Sequence, residues 1–164
     1  MYIYYLIKKI NKLLIDKLCY NFLVVLLITV NIIVLLQIIL RIIFKSSLAW
    51  SGELSNYILV YMCSFGAVIA FRKGTHIRLE FLQNIFGNKY KKFIKILNLI
   101  IMTIFSIIII IYGINFANIM KDQISASIHI PMWWFYISFS LSSILILFHI
   151  FEELLNSIKD IFLL

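Results

Sequence analysis

The chain of 164 residues is 63% hydrophobic and 13% charged, with a net charge of +8 and a mean hydropathy of +1.04. A water-soluble domain carries about 25% charged residues, so these values exclude an ordinary soluble domain and make lipid the solvent for most of the chain. The basic residues lie between long apolar runs, which ties the positive charge to membrane orientation and not to nucleic acid.

Residues 1–17 place Ile3, Leu6, Ile7, Ile10, Leu13 and Leu14 at helical spacing, with Lys8, Lys9, Lys12 and Asp16 elsewhere. That pattern predicts an amphipathic helix in the membrane surface, with no cleavage site of a signal peptide. The first span is expected over 18–44. Its twenty-three uncharged residues, Leu18 to Leu40, reach about 35 Å as a helix, enough to cross a bilayer. Asn31, near its middle, is expected to hydrogen-bond a neighbouring helix.

The second span is expected over 54–72, where eighteen residues from Leu54 to Phe71 carry no charge. Trp50 and Glu53 close one end, and Arg72, Lys73, His76 and Arg78 close the other. Glu53 reads either as a cap on its own helix or as an interface contact. A pair between Arg41 and Glu53 would join the ends of spans one and two. Gly66 and Ala70 form a small-xxx-small pair that permits close helix approach.

A second amphipathic helix is expected over 79–95, then a third span over 96–120, in which Gly113 and Ala117 repeat the small-xxx-small spacing. The next charge-free run, Gln123 to Phe151, is too long for one span. Pro131, followed by Met132, Trp133 and Trp134, is expected to open the fourth span (131–151), with the tryptophans at the interface. A polar tail, 152–164, is expected to emerge from Glu152 into water. Cys19 and Cys63 have no metal-ligand or disulfide spacing and read as packing residues.

The fold class is therefore all-α integral membrane, with four transmembrane helices and amphipathic surface helices. Twelve of the fifteen Lys and Arg residues fall on one side if the N-terminus is inside. The positive-inside rule then makes both termini cytoplasmic, with Arg72, Lys73, His76 and Arg78 as an inner anchoring cluster.

The chemistry of a translocating or catalytic unit is missing from the sequence. All seven acids lie at span ends or in loops, whereas carriers place an acid inside the membrane. One proline and five glycines give no paired helix breaks of the kind that build transport sites. His129 and His149 lie at opposite ends of the last span, about 30 Å apart along a helix, which disfavours a haem ligated between them. No catalytic triad, phosphate loop or zinc spacing is present, so neither enzyme activity nor a cofactor is expected.

The motifs resemble the small permease subunit of tripartite ATP-independent periplasmic (TRAP) transporters, the DctQ-like family. The carriers are Arg41 and Phe44, then SLAWSGEL, FGAVIAFRKGTHIRLEFL and, near the end, IPMWWFY. The chain departs from the family's pattern at Gly52, Asn56, Glu80 and near Ser140. The resemblance implies a bacterial inner-membrane scaffold that forms a heterodimer with a large permease subunit holding the sodium and substrate sites. It also implies an extracytoplasmic binding protein that delivers an organic acid such as a dicarboxylate or sialic acid. Arg41, Trp50, Glu53, Pro131, Trp133 and Trp134 are the candidate contacts to these partners, and membrane lipid surrounds the rest. The readings from other classes are a stand-alone small exporter or channel, and a membrane anchor for a redox complex.

Overall fold

The computed structural model describes residues 12–45, 48–73 and 91–162. They form four long helices: α1, Tyr20–Phe44, preceded by a π-helical stretch, Lys12–Cys19; α2, Ala49–Arg72; α3, Lys91–Ile119; and α4, Trp133–Phe162. Each contains a window long and apolar enough to cross a membrane. The chain is an all-α, four-span membrane protein.

The boundaries follow local chemistry. α1 stops at Phe44 because Lys45 takes a left-handed conformation (φ 50°), the usual geometry just beyond a helix C-terminus. α2 begins five residues before the predicted apolar run, where Ser51 Oγ donates to the Leu48 carbonyl at 2.7 Å. α3 begins at Lys91, so residues 91–95, expected in a separate surface helix, belong to the third span's helix. No Gly or Pro lies between Lys91 and Ile96 to interrupt it. Residues 12–17 of the first expected surface helix form the π-helical stretch that runs into α1; residues 1–11 and 79–90, and His76 and Arg78 of the inner cluster, lie outside the described residues.

The fourth span differs from expectation at both ends. Pro131 stands before the helix, in an isolated antiparallel bridge to Ile124, and α4 starts at Trp133. At the far end α4 continues through Glu152 to Phe162. Glu152, expected to lead the chain into water, is buried, because an arginine from α2 reaches it.

Spatial order is not sequence order. α1 packs on α2, α2 on α4, and α4 on α3. α1 and α2 are antiparallel, with Phe22 against Tyr61 and Phe65. α2 and α4 are parallel neighbours: Tyr57 meets Phe135 near one end, and Arg72 meets Glu152 near the other. The long connection between α2 and α3 allows this arrangement, which a short one would not.

The bundle is polar inside relative to its exterior. Ser138, Ser140, Ser142 and Ser143 of α4 are buried, as are Ser64 of α2 and Ser106 of α3. Most isoleucines and leucines of α1 and α3 face outward. Small residues let helix backbones approach where lipid offers no hydrophobic drive to association. Gly113 is the clearest case: a Cβ there would collide with Ser140 Oγ. Gly66, of the other small-xxx-small pair, faces open space. Asn31 is exposed and donates to its own helix, at the Leu27 carbonyl, over 2.7 Å. Among the described residues it bonds no neighbouring helix. Cys19 is buried and Cys63 exposed. One apolar cluster, Ile15, Val68, Leu99, Ile146 and Ile150, ties the π-helical stretch to α2, α3 and α4 near the Arg72 end.

Candidate functional site

The residues singled out in the sequence collect at the two ends of the bundle. At one end α2 presents Glu53 from its second turn. Its N-cap residue, Leu48, is apolar and makes no side-chain cap, and Glu53 does not cap that helix either. Its carboxylate reaches instead to the loop between α3 and α4. Ser125 Oγ donates to Glu53 Oε2, and so do the backbone amides of Ser127, at 3.0 Å, and Ile128, at 3.2 Å.

The loop is shaped to supply those donors. The Ile124–Pro131 bridge closes its base, with the Ser125 amide donating to the Ile130 carbonyl at 3.0 Å. The Met132 amide donates to the Gln123 carbonyl at 2.8 Å. The His129 amide donates to the Ser125 carbonyl at 3.3 Å, and His129 itself has φ 59°, a left-handed turn conformation for which His is among the more tolerant residues. Successive amides in such a turn form a concavity for an anion. Here Glu53 of the same chain fills it.

Beside this contact lies a cleft of about 200 Å³ lined by Glu53, Asn56, Tyr57, Ser125, Met132 and Tyr136, among others. Below it, Tyr61 OH donates to the Trp134 carbonyl at 2.5 Å. Trp133 and Trp134 pack ring against ring, with centroids 4.3 Å apart. Trp50 and Trp134 are exposed. Arg41 is exposed in the last turn of α1 and makes no salt bridge among the described residues. The structure thus brings Glu53 to the loop that ends in Pro131, Trp133 and Trp134, and leaves Arg41 apart from it.

At the other end Arg72 holds three segments. Its Nη1 donates to Glu152 Oε2 at 2.6 Å and lies 3.2 Å from His149 Nδ1. Its Nε donates to Asp16 Oδ1 at 3.2 Å. Since the guanidinium can only donate, His149 Nδ1 acts as acceptor, with the ring proton on Nε2. Glu152 is nearly buried (side chain 6% exposed) and Asp16 is not (44%), so the first contact is the structural one. Lys73 completes this end with Nζ 5.8 Å from the Tyr20 ring centroid, within cation–π range.

Sequence reasoning missed Ser125, Asp16, His149 and Glu152 as partners of these charges. One signal was present: Arg72 and Glu152 close two different spans at the same predicted depth. Among the described residues no group of three or more His, Cys, Asp and Glu side chains could hold a metal ion.

The profile of the family described as tripartite ATP-independent periplasmic transporters, DctQ component, matches residues 30–160. The chain belongs to this family. The match takes in α2, the Glu53-bearing turn, the 120–132 loop and nearly all of α4. The chain is 29% identical over 120 residues to the sialic acid TRAP transporter permease protein SiaT of Haemophilus influenzae, covering 73% of this chain and 20% of SiaT. It is 31% identical over 108 residues to the C4-dicarboxylate TRAP transporter small permease protein DctQ of Rhodobacter capsulatus, covering 65% of this chain and 48% of that protein. A putative TRAP transporter small permease protein of H. influenzae is 34% identical over 88 residues, covering 52% of each. In each case the match spans about half of the relative's length or less. The chain is a TRAP transporter small permease component and a multi-pass protein of the bacterial inner membrane.

Proposed function

We propose that this DctQ-family chain is the fixed scaffold of a transporter whose moving, substrate-binding part is a separate large permease subunit. Sodium drives uptake through that subunit, and an extracytoplasmic binding protein delivers the substrate, an organic acid of the dicarboxylate or sialic acid class. The chain itself performs no catalysis. Both termini are cytoplasmic, and the Glu53 end faces outward.

The observation that carries this reading is one of proportion. The matched segment is a fifth of SiaT, a permease protein, while a similar segment makes up about half of a small permease protein. The rest of the longer relative lies outside the matched segment, which supports assigning the moving part to a partner of this four-helix unit. The four helices described here run without a break, and broken helices are what transport sites in membranes are commonly built from. A continuous helix locked at one end by Arg72 and at the other by Glu53 suits a part that stays still.

Reconstitution tests the proposal. The chain alone in vesicles should move no dicarboxylate or sialic acid under a sodium gradient. Co-expressed with a TRAP large permease from the same genome and supplied with loaded binding protein, it should support uptake. Sodium-driven uptake by the chain alone would contradict it.

A further inference from the structure

The cleft beside Glu53 carries a charge that no cation balances among the described residues. No lysine, arginine or histidine there pairs with Glu53, and the two ion pairs both belong to Arg72. The donors that hold Glu53 are a hydroxyl and two backbone amides, all neutral, and their three bonds end on Oε2. An ionised carboxylate has about four acceptor sites, two on each oxygen. Oε1 therefore keeps capacity even beside the Ser127 hydroxyl, which also approaches the carboxylate.

The rest of the lining suits a cation with protons to donate. Asn56, Tyr57 and Tyr136 line the cleft with Glu53, and among the described residues their side chains make no hydrogen bond. The amide and phenol oxygens can each accept one. Tyr57 packs edge to face with Phe135, and Phe135 with Tyr136, at centroid distances of 4.8 and 5.1 Å, which fixes the aromatic walls. Aromatic rings attract a cation and not an anion. A carboxylate with neutral acceptors around it matches a primary ammonium, whose three N–H groups each need a partner. A quaternary ammonium would leave those acceptors unmet.

Depth selects the source of that ammonium. Glu53 stands in the second turn of α2, and Trp133 and Trp134 open α4 beside it. Tryptophans of this kind mark the boundary between water and lipid, where phospholipid headgroups lie. Leu59 follows Asn56 by three residues on α2, and Phe139 follows Tyr136 by three on α4, so each lies one turn deeper on the same side of its helix. Both are exposed, which leaves an apolar surface below the cleft for acyl chains.

We infer that the cleft is a site for one phosphatidylethanolamine, its ammonium bonded to Glu53 and Asn56 between Tyr57 and Tyr136, and its acyl chains over Leu59 and Phe139. Binding requires only that the chain spans a membrane. It does not depend on the scaffold role, and only its assignment to the outer leaflet rests on the proposed orientation.

The test is lipid retention, read by native mass spectrometry of the full chain purified in the assembly in which it is expressed. The probes are phosphatidylethanolamine, its N-trimethylated counterpart phosphatidylcholine, and phosphatidylglycerol, all with identical acyl chains. One phosphatidylethanolamine should be retained in preference to the other two. Glu53→Gln should weaken it by roughly tenfold, the loss of a hydrogen bond between charged groups. Asn56→Ala, which leaves the loop's bonds to Glu53 in place, should weaken it by roughly threefold, as loss of a neutral acceptor does. This second variant keeps the test decisive where Glu53→Gln also loosens the loop. Asp122→Asn, an exposed acid at the same end but outside the cleft, should change nothing. Soluble glycerophosphoethanolamine, the headgroup without its chains, should not displace the lipid at millimolar concentration. Equal retention of phosphatidylethanolamine and phosphatidylcholine, or indifference to both cleft variants, would overturn the inference. So would displacement by the soluble headgroup. High-yield cross-linking of Asn56→Cys to a partner polypeptide, in a Cys63→Ser background, would overturn it too, since protein would then occupy the cleft.

Discussion

Arg72 and Glu152, eighty residues apart in the chain, meet through a 2.6 Å contact at one end of the helical bundle. The pair fixes the relative height of two parallel helices, α2 and α4. Breaking a buried pair strands the remaining charge, at about 3–5 kcal/mol. Arg72→Gln should therefore lower the thermal midpoint of the detergent-solubilised protein sharply. The double variant Arg72→Gln/Glu152→Gln should recover most of the loss, and Asp16→Asn should cost less than about 1 kcal/mol, as exposed pairs do. Equal losses for the Asp16 and Glu152 variants would show that the buried contact has no special weight.

α3 and α4 approach closely at Gly113, where Ser140 Oγ already occupies the space a Cβ would need. Gly113→Leu should destabilise the α3–α4 pair by about 1–3 kcal/mol, the usual cost of overpacking. Gly113→Ala should be milder, and Ser140→Ala should relieve it, since only the hydroxyl stands in the way. Ser140 Oγ has no hydrogen-bond partner among the described residues, so Ser140→Ala alone should be neutral or stabilising. Thermal unfolding of the four variants measures the coupling.

Glu53 is committed to the 120–132 loop of its own chain. Glu53→Ala should remove the acceptor shared by Ser125, Ser127 and Ile128 and speed hydrogen exchange at the two backbone amides. Glu53→Gln, which keeps an acceptor oxygen without the charge, should lie between. If the ordered loop is what the proposed partners meet, uptake by the reconstituted assembly should fall in the same order. Unchanged exchange in Glu53→Ala would show that the Ile124–Pro131 bridge holds the loop by itself.

Orientation is open to a direct chemical test. Asp122 and Lys73 are exposed at opposite ends of the bundle. In a Cys63→Ser background, Asp122→Cys should react in intact cells with a thiol reagent that cannot cross the membrane, and Lys73→Cys should react only after permeabilisation. The reverse pattern would turn the molecule over and place the Glu53 end in the cytoplasm.

The sequence by itself determined that four helices span a membrane and, through the family motifs between Arg41 and Leu82, which family the chain belongs to. Each of those properties belongs to one segment: an apolar run of sufficient length is stable in lipid whatever surrounds it. The tertiary structure alone decided which helices are neighbours, that α2 lies beside α4 and not α3, and that Gly113 closes a contact while Gly66 faces open space. It also decided that Glu53 serves the loop near Pro131 instead of Arg41, and that Glu152 is buried and not in the water. The physical reason is the solvent. In water a hydrophobic stripe marks the face turned inward. In lipid an isoleucine is equally well placed against acyl chains or against another helix, so the stripe carries no such information. The faces that do pack here carry serine and glycine, and the charges that join the helices find partners more than fifty residues away in the chain.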